Sequence, residues 1–295
     1  MIITNKSNLP EPLYRAICND SYKPGKSYAT VTSLLKPTRM FWLQKRHYSE
    51  IVQDASDMIY MLMGSAIHSV LERGDHGSSL AEERLKATVS GKVISGAIDI
   101  YEAGVIMDYK FTSTWAYLYR DASKPDDWEK QLNMYAYLYR QAGFPVNALQ
   151  IICIFRDWSA TKQKHDIRYP NQVEVIKIPL WDESRQISFL EGKINELTQH
   201  EETPDDLLPE CSMNDRWQDP VIYAVKKIGK KKAKKLIKTS LADAEAYADS
   251  CGKDFIVEVR ESVPKRCEGY CSASGFCSWY QGYLETRGEE ESNED

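Results

Sequence analysis

Two acids and a lysine occupy positions where a strand normally carries Val, Ile or Leu. Asp99 ends Ser95-Gly-Ala-Ile-Asp99, and Asp108 and Lys110 flank Tyr109. Side chains alternate along a strand, so Asp108 and Lys110 share a face. With a two-residue turn inside Tyr101–Gly104, Asp99 faces Ile106, and Asp108 is its diagonal neighbour, roughly 7–8 Å away at the backbone. Two carboxylates that close suit a hard cation such as Mg²⁺, which prefers oxygen donors. A lysine beside them could hold or activate a water, or steady a phosphate. The turn lacks Asn-Gly or Asp-Gly, so no strong turn signal fixes this register. Charged strand residues also occur as a plain solvated face. Here the alternate residues Val105, Met107, Tyr109 and Phe111 are apolar or aromatic, which predicts that their face is buried and that the other carries the charge.

The elements that must hold these residues can be read from patterning. A helix beginning near Thr32 is interrupted at Pro37 and resumes to His47. A long helix over about Asp54–Arg73 has Ile59, Leu62, Met63, Ala66, Ile67, Val70 and Leu71 at helical period, with Gly74 and Gly77 as its stop. Strands are expected at Arg84–Val89, Lys92–Tyr101 and Val105–Phe111, and Thr112–Arg120 is a short helix or loop. Asp126 caps a helix over Asp127–Gln141, with Glu129 placed as in a capping box. Ala148–Phe155 reads as a buried strand, Gln172–Ile178 as another, and Asp182–Thr198 as a helix. This order predicts an α/β fold, a mixed sheet flanked by helices.

Further candidates lie on the helices. His68 follows Gly64 by one turn, which leaves room beside the imidazole. Gln131 and Tyr135 share a helix face and could contact a phosphate or orient Lys110. Taken in order, Gly64-Ser-Ala-Ile-His68, Gly96-Ala-Ile-Asp99, Asp108-Tyr-Lys110 and Gln131-Leu-Asn-Met-Tyr135 resemble the PD-(D/E)XK nuclease superfamily, in its branch of RecB-type and CRISPR-adaptation exonucleases. Asp108 stands where many members have Glu. The resemblance implies a restriction-endonuclease-like core and cleavage of DNA dependent on Mg²⁺ or Mn²⁺. It implies that His68, Asp99, Asp108 and the Tyr109 carbonyl bind metal, that Lys110 positions the attacking water, and that Gln131 and Tyr135 assist. Glu82 or Glu83 could add a carboxylate.

Cys267-x₃-Cys271-x₅-Cys277, with Cys211 upstream, has the look of a metal site. Four thiolates suit a 4Fe–4S cluster or tetrahedral Zn²⁺, and paired CxxC knuckles, which would favour zinc, are absent. The resemblance favours the cluster, since several exonucleases of that branch carry one. In those relatives the remote cysteine precedes the core, so Cys18 rivals Cys211 as fourth ligand. Cys153 reads as buried and Cys251 as incidental. Between Cys211 and Cys267 lies Lys226–Lys238, with eight lysines in thirteen residues. It reads as a hairpin over Val221–Lys227 and Ala233–Lys238, followed by a helix at Ser240–Ser250 and a strand at Phe255–Val259. Lys226, Lys227, Lys230, Lys231 and Lys232 are candidates for binding DNA backbone. Trp217, Tyr223, Trp279 and Tyr280 are candidates for base stacking, against a packing role.

The net charge of −5 is misleading, because the tail Glu285–Asp295 holds six acids and one arginine. The body is formally neutral and can approach nucleic acid. No apolar run is long enough to span a membrane, and Met1-Ile-Ile-Thr-Asn-Lys-Ser7 lacks a signal-peptide pattern, so a cytoplasmic protein of prokaryotic or phage origin is expected. Four segments are expected: an N-terminal helical segment (1–50), a nuclease core (51–200), a cysteine-cluster and lysine-rich subdomain (204–284) and a disordered acidic tail (285–295). The leading function is a metal-dependent exonuclease acting on single-stranded DNA or duplex ends in recombination, repair or phage DNA metabolism. The alternatives are a structure-selective endonuclease and a non-catalytic nucleic-acid-binding assembly module. A homo-oligomer and a helicase-tethered monomer would both fit.

Overall fold

The computed structural model describes residues 1–19, 27–71, 84–120 and 126–293. The expected helix stop at Gly74 and Gly77 and the carboxylates Glu82 and Glu83 lie outside these residues. The chain divides into two compact units, Met1–Thr203 and Pro204–Asp295. In chain order the first contains β1 (Ile2–Thr4), α1 (Glu11–Cys18), β2 (Ala29–Thr30), α2 (Val31–Leu34), α3 (Thr38–Arg46), β3 (Val52–Asp54), α4 (Ile59–Leu71), β4 (Arg84–Val89), β5 (Lys92–Ala97) and β6 (Ile100–Glu102). It continues with β7 (Val105–Thr112), α5 (Thr114–Leu118), α6 (Asp127–Gln141), β8 (Ala148–Phe155), α7 (Ala160–His165), β9 (Val173–Ile178) and α8 (Glu183–Gln199).

The fold of this unit is mixed α/β. A four-stranded sheet runs β6-β7-β8-β9, with β7 and β8 parallel and the outer pairs antiparallel. A three-stranded sheet runs β2-β5-β4. Residues 1–50, expected to be helical, also supply strands: β2 pairs with β5 and β1 with β3. The helix α6 links β7 to β8 and packs against both sheets and α8. It is buried from Gln131 to Tyr139, as befits a helix covered on every side. Its buried Asn133 is satisfied. Asn133 donates to the carbonyls of Glu129 and Pro179, both at 2.9 Å, and accepts from Trp181 N and Gln186 Nε2. Asp126 caps the helix by accepting from Glu129 N at 2.8 Å. The other half of the expected capping box is not made, because the Glu129 carboxylate accepts from Trp181 Nε1 at 2.6 Å instead.

Three expectations are corrected here. The strand expected over Lys92–Tyr101 breaks at Ile98–Asp99 into β5 and β6, which belong to different sheets. The charged face of β7 is the covered one: Ile106 and Asp108 are buried under α6, whereas Val105, Met107, Tyr109 and Phe111 are half-buried. The helix α4 has no fully buried residue. Ile59, Leu62, Ile67 and Leu71 are half-buried against β7 and the turn before α4, while Tyr60, Met61, Met63 and Val70 face solvent.

The second unit contains β10 (Ile222–Lys227), β11 (Lys235–Ile237), α9 (Leu241–Cys251), β12 (Phe255–Arg260), α10 (Lys265–Gly269) and α11 (Ser278–Asn293). An antiparallel sheet β11-β10-β12 carries α9 on one face, with Val225, Ile237, Ala244 and Ala248 at the centre. The acidic stretch expected to be disordered is helical backbone as far as Asn293.

Candidate active site

The hairpin between β6 and β7 sets the site. Its two loop residues are Ala103 and Gly104, both at positive φ (47° and 83°), and the register pairs Glu102 with Val105 and Ile100 with Met107. Positive φ at both loop residues is the type I′ condition for a two-residue hairpin. The expected register was therefore two residues off, and Asp99 comes level with Asp108 rather than Ile106. A slip of two leaves every side chain on its own face. Gly104 is favoured here by its φ of +83°, which an L side chain rarely adopts, and an added Cβ would also push Asn147 Nδ2 aside from 2.5 Å.

Asp99 sits in the break between the two sheets. Its Oδ2 accepts from the Tyr109 N–H at 2.6 Å, so a side chain takes a donor that a continuing ladder would use. Its Oδ1 lies 3.1 Å from His68 Nδ1. That hydrogen bond raises the imidazole pKa above its ordinary value, against the lowering effect of partial burial. The His68 ring stands edge-on to Tyr109 at 6.4 Å. A Cβ on Gly64 would meet nothing within 4 Å, so the turn before His68 faces open space.

Asp108 is 4% exposed. Burial pushes its carboxyl up, and the Lys110 ammonium pulls it back. Lys110 Nζ lies 2.6 Å from Asp108 Oδ2 as an ion contact, yet that oxygen has no aligned hydrogen-bond donor. Lys110 also donates to Gln131 Oε1 at 3.1 Å. Gln131 Nε2 in turn reaches Asp108 Oδ1 at 3.5 Å and Tyr135 Oη at 3.3 Å. The structure thus brings His68, Asp99, Asp108, Lys110, Gln131 and Tyr135 into one cluster. Gly96, quoted in the sequence only as part of a motif, positions the last of these: its bare backbone lies directly against the Tyr135 ring.

The donor types suit a hard divalent ion, and Asp108 Oδ2 is a buried oxygen with a lone pair to give. As the side chains stand, however, no three His, Cys, Asp or Glu residues among those described are placed to hold a metal. His68 and Asp99 turn their donor atoms toward each other, and Lys110 covers Asp108.

In the second unit, Cys271, Cys211 and Cys277 all act on the Cys267 thiol, whose pKa is pushed up to about 12 by burial first and by these thiols next. Arg216 faces the same group. It donates to the Cys211 carbonyl at 2.7 Å and lies 3.8 Å over the Trp279 ring. Cys18 lies on α1 of the first unit, where it interacts with Tyr14. Cys153 is buried in β8, with its thiol pushed up to about 11 by burial. Cys251 is 3.3 Å from Lys234 Nζ. Of the candidate lysines, Lys226 pairs with Glu258 and Lys227 with Asp254, while Lys230, Lys231 and Lys232 project into solvent between β10 and β11. Tyr223 packs in the core and Tyr280 is buried. Trp279 lies between Arg216 and a stacked Tyr283, and Trp217 remains about half exposed beside Tyr270. Among the described residues no helix is long and apolar enough to cross a membrane.

No family model matches the chain, and no curated protein matches it. Among solved structures it is similar to the protein named SSO0001 at 19% identity and a TM-score of 0.42, covering 64% of this chain and 84% of that one. It is also similar to a protein of Eubacterium rectale bearing the name "Putative exonuclease", at 14% identity and a TM-score of 0.30, covering 61% of this chain and 70% of that one. Both likenesses are too distant to carry fold or activity across.

Proposed function

We propose that the first unit hydrolyses phosphodiester bonds of DNA with Mg²⁺ or Mn²⁺, working from DNA ends. The observation that carries this reading is Asp108: a nearly fully buried carboxylate, facing an ammonium at 2.6 Å, in the cluster that holds Asp99 and His68. A solvated strand face would leave these charges in water. Burying them is costly, and such arrangements concentrate at functional sites.

Asp99 and Asp108 would hold the ion, with His68 once it has released its proton and with the Tyr109 carbonyl. A divalent cation at such a site neutralises phosphate charge and makes hydroxide accessible near neutral pH. The chain does the rest. Lys110 positions the attacking water and meets charge that develops on the phosphate. Gln131 holds the Lys110 ammonium, and Tyr135 holds Gln131. In the second unit, Cys211, Cys267, Cys271 and Cys277 would bind a 4Fe–4S cluster, or Zn²⁺, as a structural brace. Lys230, Lys231 and Lys232 would bind DNA backbone.

End-labelled linear DNA incubated with Mn²⁺ tests the reading. The parent is expected to digest it, and Asp108→Ala and Lys110→Ala to lose that digestion. No digestion by the parent, together with retained DNA binding, would make the chain a nucleic-acid-binding assembly module. Cleavage of closed circular DNA as fast as linear DNA would make it an endonuclease.

A further inference from the structure

Four aromatic and cationic groups outside this cluster share one edge of the four-stranded sheet, where β7 and β8 end. Trp115 and Tyr119 of α5 and its C-terminal cap are 66% and 70% exposed, and their rings pair at 5.3 Å. Tyr60 on α4 is 63% exposed, with the Arg156 guanidinium 4.3 Å over its ring. The segments are stitched together. Arg156 N donates to the Thr112 carbonyl at 2.9 Å. Thr114 N and Oγ1 both donate to Asp157, at 2.7 and 3.1 Å. Tyr117, between the two exposed rings, packs its own ring on Phe155 at 5.4 Å. α5 is therefore anchored by Thr114 and Tyr117 while Trp115 and Tyr119 are left in water. Exposing two large rings side by side forfeits burial and calls for an occupant.

The cations against the rings, Arg156 at Tyr60 and Arg168 at Tyr119, select one. Arg156, Lys162, Lys164 and Arg168 outnumber Asp157 and Asp166 across this connection. Asp157 is already engaged by Thr114 and Asp166 by Arg168, and Arg168 interacts with Tyr119. Flat exposed rings beside cations are the means by which proteins hold unpaired bases and their phosphates. Trp115 lies five residues past Lys110, three of them still on extended or capping backbone. At ~3.3 Å per strand residue the start of α5 lies roughly 10 Å along the chain from Lys110.

We propose that Trp115 and Tyr119, with Tyr60 and Arg156 beside them, form a stacking ledge for the unpaired bases of a single DNA strand entering the Asp108–Lys110 site. The proposal rests on the nuclease reading and narrows its substrate to single-stranded DNA or a frayed end. A duplex keeps its bases stacked on each other and has none to offer the rings.

The test is equilibrium binding in EDTA, so that no cleavage enters. A fluorescently labelled oligonucleotide of about 12 nucleotides is compared with an abasic phosphodiester chain of the same length, within the usual single-strand site sizes. Trp115→Ala and Tyr119→Ala are each expected to weaken oligonucleotide binding about 10-fold. Both should leave abasic-chain binding unchanged, and Trp115→Phe should retain most of the parent affinity. Equal losses on both ligands, or no loss on either, overturn the ledge. Loss of concentration-dependent self-association instead would assign the rings to a second copy of this chain. Failure of the nuclease reading shows separately, as a parent that binds in EDTA and cuts nothing with Mn²⁺.

Discussion

Gly96→Ala tests the packing that positions the site. An ideal Cβ there would stand 2.5 Å from Tyr135 Cε1, 2.9 Å from its Cδ1 and 2.9 Å from Val31 Cγ2. Carbon atoms rest comfortably at about 3.5–4.0 Å, so the ring must retreat by about 1 Å. Tyr135 is buried on a helix covered on every side, which leaves it little room. Overpacking of this kind costs about 1–3 kcal/mol. Against it, alanine restricts the unfolded chain by about 0.4–1 kcal/mol, a gain available because Gly96 does not need a left-handed backbone. The net is a loss of about 1–2 kcal/mol, which at a urea slope of about 2–3 kcal/mol/M lowers the unfolding midpoint by about 0.3–1 M. The effect on activity is larger. The ring carries the hydroxyl that Gln131 contacts, and Gln131 holds Lys110, so a displacement near 1 Å passes to the ammonium and should cost about 100-fold in rate. Tyr135→Leu in the Gly96→Ala background should restore the midpoint but not the rate, because the hydroxyl is gone. The assays are urea unfolding of the full chain and digestion of end-labelled DNA. A Gly96→Ala protein as stable and as fast as the parent, with additive behaviour toward Tyr135→Leu, would refute the packing argument.

His68 has its pKa raised by Asp99. In metal-free protein the stabilisation from this pair is fully present below the unfolded value of about 6.5 and is lost as pH rises through the folded value. Asp99→Asn should abolish that pH dependence, and an NMR titration placing His68 at or below 6.5 would contradict it. Mn²⁺ should bind more tightly as pH rises through the same range, because it competes with the imidazole proton. The Asp54 carboxyl is nudged up by desolvation but held well below the usual carboxylate range by hydrogen bonds from Ser56, Lys6 N and Ser7. Its contribution is present above the unfolded pKa and lost as pH falls through the folded one, so Asp54→Asn should flatten the acid side of the urea midpoint profile. Cys267, raised to about 12, makes the metal-free protein lose stability as pH rises from the ordinary thiol range toward that value. Cys267→Ser should remove this loss and should also abolish iron or zinc content measured by elemental analysis, while Cys153→Ser retains the metal.

Most strands and helices between Arg84 and Gln199 were legible because alternation, helical period and a cap such as Asp126 are local signals, and that cap forms; α7 was not expected. The pairing of Asp108 with Lys110 on one face was legible for the same reason. Three things were not. Local rules disfavour Ala103 at positive φ, so the turn was placed one residue early, which moves the pairing register by two. The break at Asp99 depends on a hydrogen bond to Tyr109, ten residues on, and on Tyr135 lying against Gly96. Burial was inverted on β7, because a period says which side chains share a face and is silent on what will cover it. That inversion bears directly on function. Had the apolar face been the covered one, Asp108 and Lys110 would sit in water and need no explanation. With α6 laid over them, Asp108 becomes a desolvated carboxylate facing a half-buried ammonium. Gln131 and Tyr135, on the covering helix, are brought against that pair by the packing that buries it, so the cluster and the core form together.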